Sequence, residues 1–391
     1  MKLESYIVAD NIISPLGFTS SENFEQLKQK KTGVQRLETS ELSSEPVCAA
    51  LVDTQKLNSE FQKITANNIE KKDFTRLEKM VLLSIHDCLK QNSNIDITSK
   101  KTLIIFSTTK GNIDLLDPKQ ASEFDKKRVY LWETAKIIAQ HFNNPNKPLI
   151  VSNACISGVL AIILGKRLLE TNQYDTIIVS GVDILTHFVV SGFQSFKAIS
   201  NEVAKPYDAK RDGISLGEGC GTIVMSSVIR HPSSDIIVSG GASSNDANHI
   251  SGPSRTGDGL FLAIDKTLKE SNVKASEVSY ISGHGTATLY NDDMESLAIT
   301  DAHLENVPMN SLKSYFGHTL GAAGIIESII GIHSMLENTL IGTFNFNELG
   351  VTKPINIIKN TESANINNCL KTAAGFGGCN AAVFFQKVQN N

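Results

Sequence analysis

Long apolar runs are scarce in this chain. None of its 391 residues lies in an uninterrupted apolar stretch near the ~18 residues that a membrane helix takes, so no membrane span is expected. Charge of one sign is not in excess: 37 Lys and Arg stand against 41 Asp and Glu, a net −4 at pH 7. That balance gives no overall attraction for nucleic acid, and an acidic partner would have to meet a local basic patch. Paired cysteines are missing too. The six cysteines, at 48, 88, 155, 220, 369 and 379, are scattered without a CxxC. Neither a disulfide framework nor a metal site is therefore indicated. The start, "MKLESYIVADNIISPLGF", is broken by Glu4, Asp10 and Asn11, which argues against a secretory signal. A soluble cytoplasmic protein is expected. No dinucleotide or phosphate-cradling motif, low-complexity segment or long linker is present, and no cofactor is called for.

What is present is alternation. "YIVADNII", "TLIIFST", "KPLIVS", "DTIIVSG" and "GTIVMSS" read as strands, and "RLEKMVLLSIHDCLKQ" and "ETAKIIAQHF" read as helices. After the polar break "RHPSSD" come further strands, "DIIVSGGASS", "VSYISGHG", "LKTAAGFGG" and "AAVFFQKV". Strands alternating with helices predict an α/β layered fold with buried sheets. Each side of residue ~230 has strands, a helix and a Gly-rich stretch at a strand end, so a duplication is expected, residues 1–230 and 231–391.

Four short stretches carry chemistry. In "VSNACISGVLA", Cys155 stands where a strand turns into a helix, and a helix N-terminus favours a thiolate. The alternative is a small packed hydrophobe. In "SGHGTATLYNDDMESLA", His284 lies between glycines directly after a strand, and Thr286 and Thr288 are spaced to face one side. "NSLKSYFGHTLGAAGIIESI" opens a helix with Gly317, Gly321 and two alanines, which permits close packing. Lys313 and His318 precede that helix, and Glu327 inside it can pair with the lysine in an apolar setting. "AAGFGGCNA" is a glycine-rich turn between strands, either a plain hairpin or an oxyanion-binding gate.

In this order the four stretches resemble the β-ketoacyl-acyl carrier protein synthases, condensing enzymes of the thiolase superfamily. Asn153 through Gly158 matches the family's nucleophile motif, and His284 through Thr288 its HGT-x-T motif, with the later acidic pair on Asp292 and Glu295. Lys313 through Gly324 matches K-S-x-x-GH-x-x-GAAG with Glu327 downstream, and Gly375 through Asn380 matches GFGG-x-N. "SPLGFTSSENFEQLKQKKTGV" and "PYDAKRDGISLGEGCG" agree as well, so the likeness runs almost end to end.

The resemblance implies a thiolase fold, two similar halves in five layers (α-β-α-β-α). It implies a decarboxylative Claisen condensation between an acyl-enzyme and malonyl-acyl carrier protein. Cys155 is the implied nucleophile, His284 and His318 the implied enolate donors, and Lys313 with Glu327 the pair that keeps them ordered. Cys155 and Phe376 would supply oxyanion N–H groups, with Phe376 as gate, and Thr286 and Thr288 would bind the carrier's phosphopantetheine arm. Lys71, Lys72, Arg76 and Arg211 match basic positions expected to dock the carrier protein. A dimer is implied, either of two copies or with a chain-length subunit, with residues near 107–140 reaching the partner's pocket.

Two rivals fit less well. Thiolases place a second reactive cysteine before a C-terminal glycine run, whereas Cys379 follows the glycines here. Chain-length subunits typically lose the nucleophile, and Cys155 is present. The chain also departs from the family pattern. Ala374 stands where many relatives have phenylalanine, and Cys379 where threonine is common. Thr108, Thr109 and Lys110 make the stretch expected to line the acyl pocket polar. In this it looks similar to synthases of aryl-polyene pigments, with housekeeping fatty-acid elongation as the alternative.

Overall fold

Ten strands form the frame of the protein, whose computed structural model describes residues 3–65, 73–118, 123–228, 236–246, 252 and 254–388. In chain order they are β1 (Tyr6–Ile13), β2 (Thr102–Ser107), β3 (Leu149–Val151), β4 (Thr176–Asp183) and β5 (Gly219–Ser226). Then follow β6 (Ile236–Asn245), β7 (Ile281–Ser282), β8 (Met309–Asn310), β9 (Asn368–Gly375) and β10 (Cys379–Lys387). The first five are ordered β3-β2-β4-β5-β1 and the second five β8-β7-β9-β10-β6. Subtracting five from each label of the second set reproduces the first. Pair directions repeat too. β2 is parallel to β3 and β4, and β5 antiparallel to β4 and β1. Likewise β7 is parallel to β8 and β9, and β10 antiparallel to β9 and β6. The two five-stranded sheets meet through a single register pair, Tyr6 opposite Ile237.

Five helices layer these sheets: α1 (Arg76–Gln91), α2 (Ser157–Glu170), α3 (Asp258–Ser271), α4 (Leu289–Asp301) and α5 (Ala323–Glu337). α2 and α5 touch each other and strands of both sheets, which makes them the middle layer. α1 covers the outer face of the first sheet, and α3 that of the second with α4 packed on it. The sequence explains this placement. α5 reads AGIIESIIGIHSMLE, apolar nearly all round, and such a helix is stable only when buried on every side. Outer helix α1 instead has one buried face and opens with a capping box, Thr75 Oγ1 on the Glu78 N–H and Glu78 Oε2 on the Thr75 N–H. Strands such as β4, TIIVSGVD, are buried along their whole length, as a sheet covered on both faces requires.

Two expectations change. The run Leu320–Glu337 is, contrary to the sequence reading, long and apolar enough to cross a membrane, and it is 83% buried inside this fold as the middle-layer helix. That helix does not begin at Gly317. A short turn of helix, Lys313–Phe316, ends where Gly317 takes φ +67°, and α5 starts only after a 3-10 turn at Leu320–Ala322.

Candidate active site

The two sheets deliver their chemistry at corresponding places. Thr108 follows β2, Cys155 follows β3, and Asp183 ends β4. His284 follows β7, Lys313 and His318 follow β8, and Gly375 and Phe376 end and follow β9. All lie past the carboxyl ends of the parallel strands, where α/β sheets open into a crevice.

Cys155 sits on a tight elbow. Ala154 before it is held at φ +44°, a left-handed conformation that costs a non-glycine residue roughly 1–2 kcal/mol. Ser157 pins the turn, its Oγ accepting from the Asn153 N–H at 2.7 Å and donating to the Ala154 carbonyl at 2.6 Å. Gly158 lets α2 press on the neighbouring segment, since a Cβ there would lie 2.9 Å from the Gly321 carbonyl oxygen. The thiol itself is buried. Burial pushes it up to about 12, a shift that Cys379 reinforces and the charges of Lys313 and Lys110 oppose. The helix terminus therefore does not leave a standing thiolate: the resting group is the thiol.

His284 and His318 meet edge to face, ring centroids 5.4 Å apart. Both are buried, and desolvation together with the charge of Lys313 holds both well below the ordinary histidine value. They are neutral imidazoles at neutral pH. For His318 the tautomer follows from its partners. Nδ1 accepts the Leu320 N–H at 3.3 Å, so the proton belongs on Nε2. That atom is buried without a hydrogen-bond partner among the described residues, a donor aimed at the cavity rather than at an acceptor of the fold.

The backbone under His284 is held from both sides. Glu295 accepts from the His284 N–H at 2.7 Å and the Gly285 N–H at 2.8 Å, and Asp292 from the Thr286 and Ala287 N–H groups. Both carboxylates project from α4, whose first turns lie directly after this loop. Tyr207 joins them, its hydroxyl on Glu295 and its N–H on Asp292, each at 2.8 Å. From the other side Lys313 Nζ donates to the His284 carbonyl at 2.6 Å and to Glu327 Oε1 at 2.7 Å. An ammonium and a carboxylate this deeply buried persist only as partners.

Cys155, His284 and His318 line one cavity of about 480 Å³. Thr286 and Thr288 line it as well, their hydroxyls 2.8 Å apart. At its wall the glycine-rich turn approaches the nucleophile, since a Cβ on Gly375 would come within 3.1 Å of the Cys155 nitrogen. The turn closes a hairpin between β9 and β10, so the hairpin reading and the gate reading describe the same residues. Phe376 at its tip is 41% exposed and meets Phe193 and Phe196 at 5.8 and 5.3 Å between centroids. Gly377 and Gly378 beside it hold φ +87° and +73°, a backbone that other residues rarely adopt.

Other expected site residues lie elsewhere. Thr108 and Thr109 do not line this cavity. Their hydroxyls donate to Asp183 at 2.8 and 3.0 Å, and the Lys110 N–H reaches the same carboxylate at 3.3 Å. Asp183 also accepts the Gly321 N–H at 2.7 Å, so the polar stretch after β2 serves to tie β4 to the segment behind His318. Arg211 is not a surface residue. It is 6% exposed, donates to the carbonyls of Asp208, Gly350 and Leu289, and pairs with Asp293 at 3.3 Å. Arg76 is also committed, to the Val52 carbonyl, Thr54 and the buried Glu218. Lys71 and Lys72 lie outside the described residues.

The motifs did not reveal Asp183, Tyr207 or Lys371, nor Asp246, whose Oδ2 accepts from the Asn380 side chain at 2.7 Å beside the gate. For Asp183 and Lys371 the available signal was a charge at the end or middle of an apolar strand.

Comparison with known proteins identifies the family. Residues 6–231 match the family model for the beta-ketoacyl synthase N-terminal domain, and residues 236–347 that for its C-terminal domain. The chain belongs to the beta-ketoacyl synthase family. It is an enzyme of the condensing class, joining an acyl thioester to a malonyl unit with loss of carbon dioxide. Relatives include a putative mitochondrial 3-oxoacyl-[acyl-carrier-protein] synthase of Schizosaccharomyces pombe, 27% identical over 96% of this chain and 97% of that protein. Another is 3-oxoacyl-[acyl-carrier-protein] synthase 2 of Rhizobium meliloti, 31% identical over 64% of this chain and 62% of that one. The fold matches a ketosynthase (ApeO) in complex with its chain length factor (ApeC) from Xenorhabdus doucetiae, TM-score 0.87 at 24% identity, covering 99% of this chain and 98% of that one. It also matches the ishigamide ketosynthase/chain length factor, TM-score 0.88 at 22% identity, with full coverage of both chains.

Proposed function

We propose that this synthase carries its acyl group on Cys155 and uses His284 and His318 to hold the enolate of a malonyl-acyl carrier protein. The observation behind this reading is the convergence of one thiol and two neutral imidazoles on one cavity, with His318 Nε2 buried and unpartnered. Cys155 Sγ forms a bond to the acyl carbonyl carbon while the carrier thiol leaves with the proton. N–H groups of Cys155 and Phe376 hold the oxyanion, each donor being worth roughly 3–4 kcal/mol in such sites. Malonyl carrier then loses carbon dioxide, and the charge left on its thioester oxygen is met by the two imidazole N–H groups. The carbanion attacks the acyl-Cys155 carbonyl, and the C–S bond breaks with its electron pair going to Sγ. That sulfur takes up a proton from water to restore the thiol, and a β-ketoacyl carrier two carbons longer departs. Thr286 and Thr288 contact the phosphopantetheine arm, and Phe376 gates the cavity. The thiolase and chain-length-subunit readings have no comparable support from this site.

With Arg76 and Arg211 engaged internally, the docking patch of this proposal reduces to Lys71 and Lys72. The test is a condensation assay with malonyl carrier and a panel of acyl carriers, aryl-capped unsaturated chains included, read by product mass. A β-ketoacyl product is expected. Reversing Lys71 and Lys72 to Glu should raise KM for carrier-bound donors several-fold and leave a small thioester nearly unaffected. No product with any acyl donor would refute the function, and equal losses with both donor types would refute the docking patch. Which acyl class is preferred, polyene or fatty, is decided by the same panel.

We further propose a duplicated chain dividing near residue 230, working in the cytoplasm as a dimer. The repeated strand order supports the duplication. Six buried free cysteines fit a reducing compartment. Among the described residues β3 pairs with β2 alone, and Leu116, Tyr130 and Trp132 on the 107–140 segment are each more than half exposed. A free sheet edge beside exposed apolar side chains suits a second subunit. Light scattering at micromolar concentration should give twice the chain mass, and a monomer would refute the proposal. The chain length factors bound to similar folds favour testing a second, different subunit too.

A further inference from the structure

Lys371 stands in the middle of β9, in the run NCLKTAAG, and is fully buried. A charge there needs a reason, because a strand covered on both faces ordinarily carries none. Its Nζ lies 2.5 Å from Glu327 Oε2 and donates to the carbonyls of Gly283 at 2.8 Å and Ser282 at 3.2 Å. Lys313 uses the other oxygen of Glu327 and the carbonyl of His284. Two ammonium groups therefore share one carboxylate. Between them they hold three consecutive carbonyls, 282, 283 and 284, of the segment that presents His284.

We propose that Lys371 is a positioning residue for the decarboxylation step: its ammonium fixes the backbone that aims His284 and adds positive charge beneath the developing enolate. This rests on the reading of His284 and His318 as enolate donors. The other groups facing the two histidines do not replace it. Glu295 and Asp292 approach from α4 with their oxygens occupied by N–H groups of the loop and by Tyr207. Asp183 faces the segment behind His318 and is filled by Thr108, Thr109 and Gly321. Cys155 rests as a neutral thiol. Lys110, whose N–H lies on Asp183, contributes positive charge on the His318 side, as Lys313 does to both rings. The charge of Lys371 acts in the same sense on both rings, favouring the neutral imidazole that can donate without carrying charge.

The test compares wild type, Lys371→Met and Lys371→Gln in malonyl-thioester decarboxylation across pH, with acyl loading of Cys155 measured in parallel. Lys371→Met keeps most of the side-chain volume, and Glu327 retains Lys313 as its partner. The expected result is a fall of about tenfold or more in decarboxylation kcat with KM little changed, and a far smaller effect on acyl loading. With one cation removed, the imidazoles protonate more readily. The acid limb of the decarboxylation profile should therefore move to higher pH. An unmoved acid limb, or equal losses in both steps, would overturn the assignment and leave Lys371 a structural ion-pair partner. So would failure of both variants to fold in a circular dichroism melt. His284→Ala and His318→Ala run alongside. Normal decarboxylation by both would overturn the reading of the site, and this assignment with it. Impaired histidine variants beside an unchanged Lys371 profile would overturn this assignment alone.

Discussion

Cys155→Ala is expected to abolish acyl-enzyme formation and to reduce condensation by about a thousandfold or more, while the melting temperature barely moves. The thiol is the proposed attachment point for the acyl chain, and alanine leaves the elbow intact. The contacts that shape the elbow belong to the Asn153 N–H, the Ala154 carbonyl and Ser157, not to the sulfur. The wild-type thiol should also show a particular pH response. Burial holds it up to about 12, so the thiolate fraction grows through the whole neutral range and alkylation at Cys155 should keep accelerating to pH 9 without a plateau. Mass spectrometry after incubation with an acyl donor should find one modified peptide. An adduct on Cys379, or one that survives Cys155→Ala, would sink the assignment.

His284→Ala and His318→Ala should each cost about 10²–10³-fold in malonyl decarboxylation, the usual loss when one preorganised donor to an oxyanion is removed. Acyl loading should suffer much less, because the enolate charge develops only in the second half-reaction. The pH profile carries an independent check. Both histidines are held well below 6.5, so they stay neutral as the pH falls through the usual histidine range. Decarboxylation by the wild type should therefore persist to clearly lower pH than an exposed histidine would allow. An acid limb at the ordinary histidine value would mean that neither burial nor the lysines hold these rings down. A histidine variant with normal decarboxylation would remove that residue from the mechanism.

The local sequence determined a great deal. Alternating β-branched runs marked the strands of both halves, and Arg76–Gln91 is a helix over the residues that its periodicity and Thr75–Glu78 cap dictate. Cys155, His284, His318 and Phe376 stood out in the sequence because the four short runs that hold them, taken together and in order, resemble the motifs of the family, although each run alone also had a plain structural reading. Side-chain environment was not legible, because it is set by residues far away in the chain. Lys371 and Glu327 come from different elements and meet only when β9 packs against α5. Thr108 and Thr109 looked like pocket lining until β4 brought Asp183 beside them. Arg211 looked like a docking cation, and its guanidinium is enclosed by carbonyls from three separate segments. The helix start at Cys155 suggested a ready thiolate, a local argument that burial from both sheets reverses. Local pattern decides which backbone a stretch adopts and which residues sit at its ends. Desolvation and ion pairing depend on what covers those ends, and only the packed structure decides that.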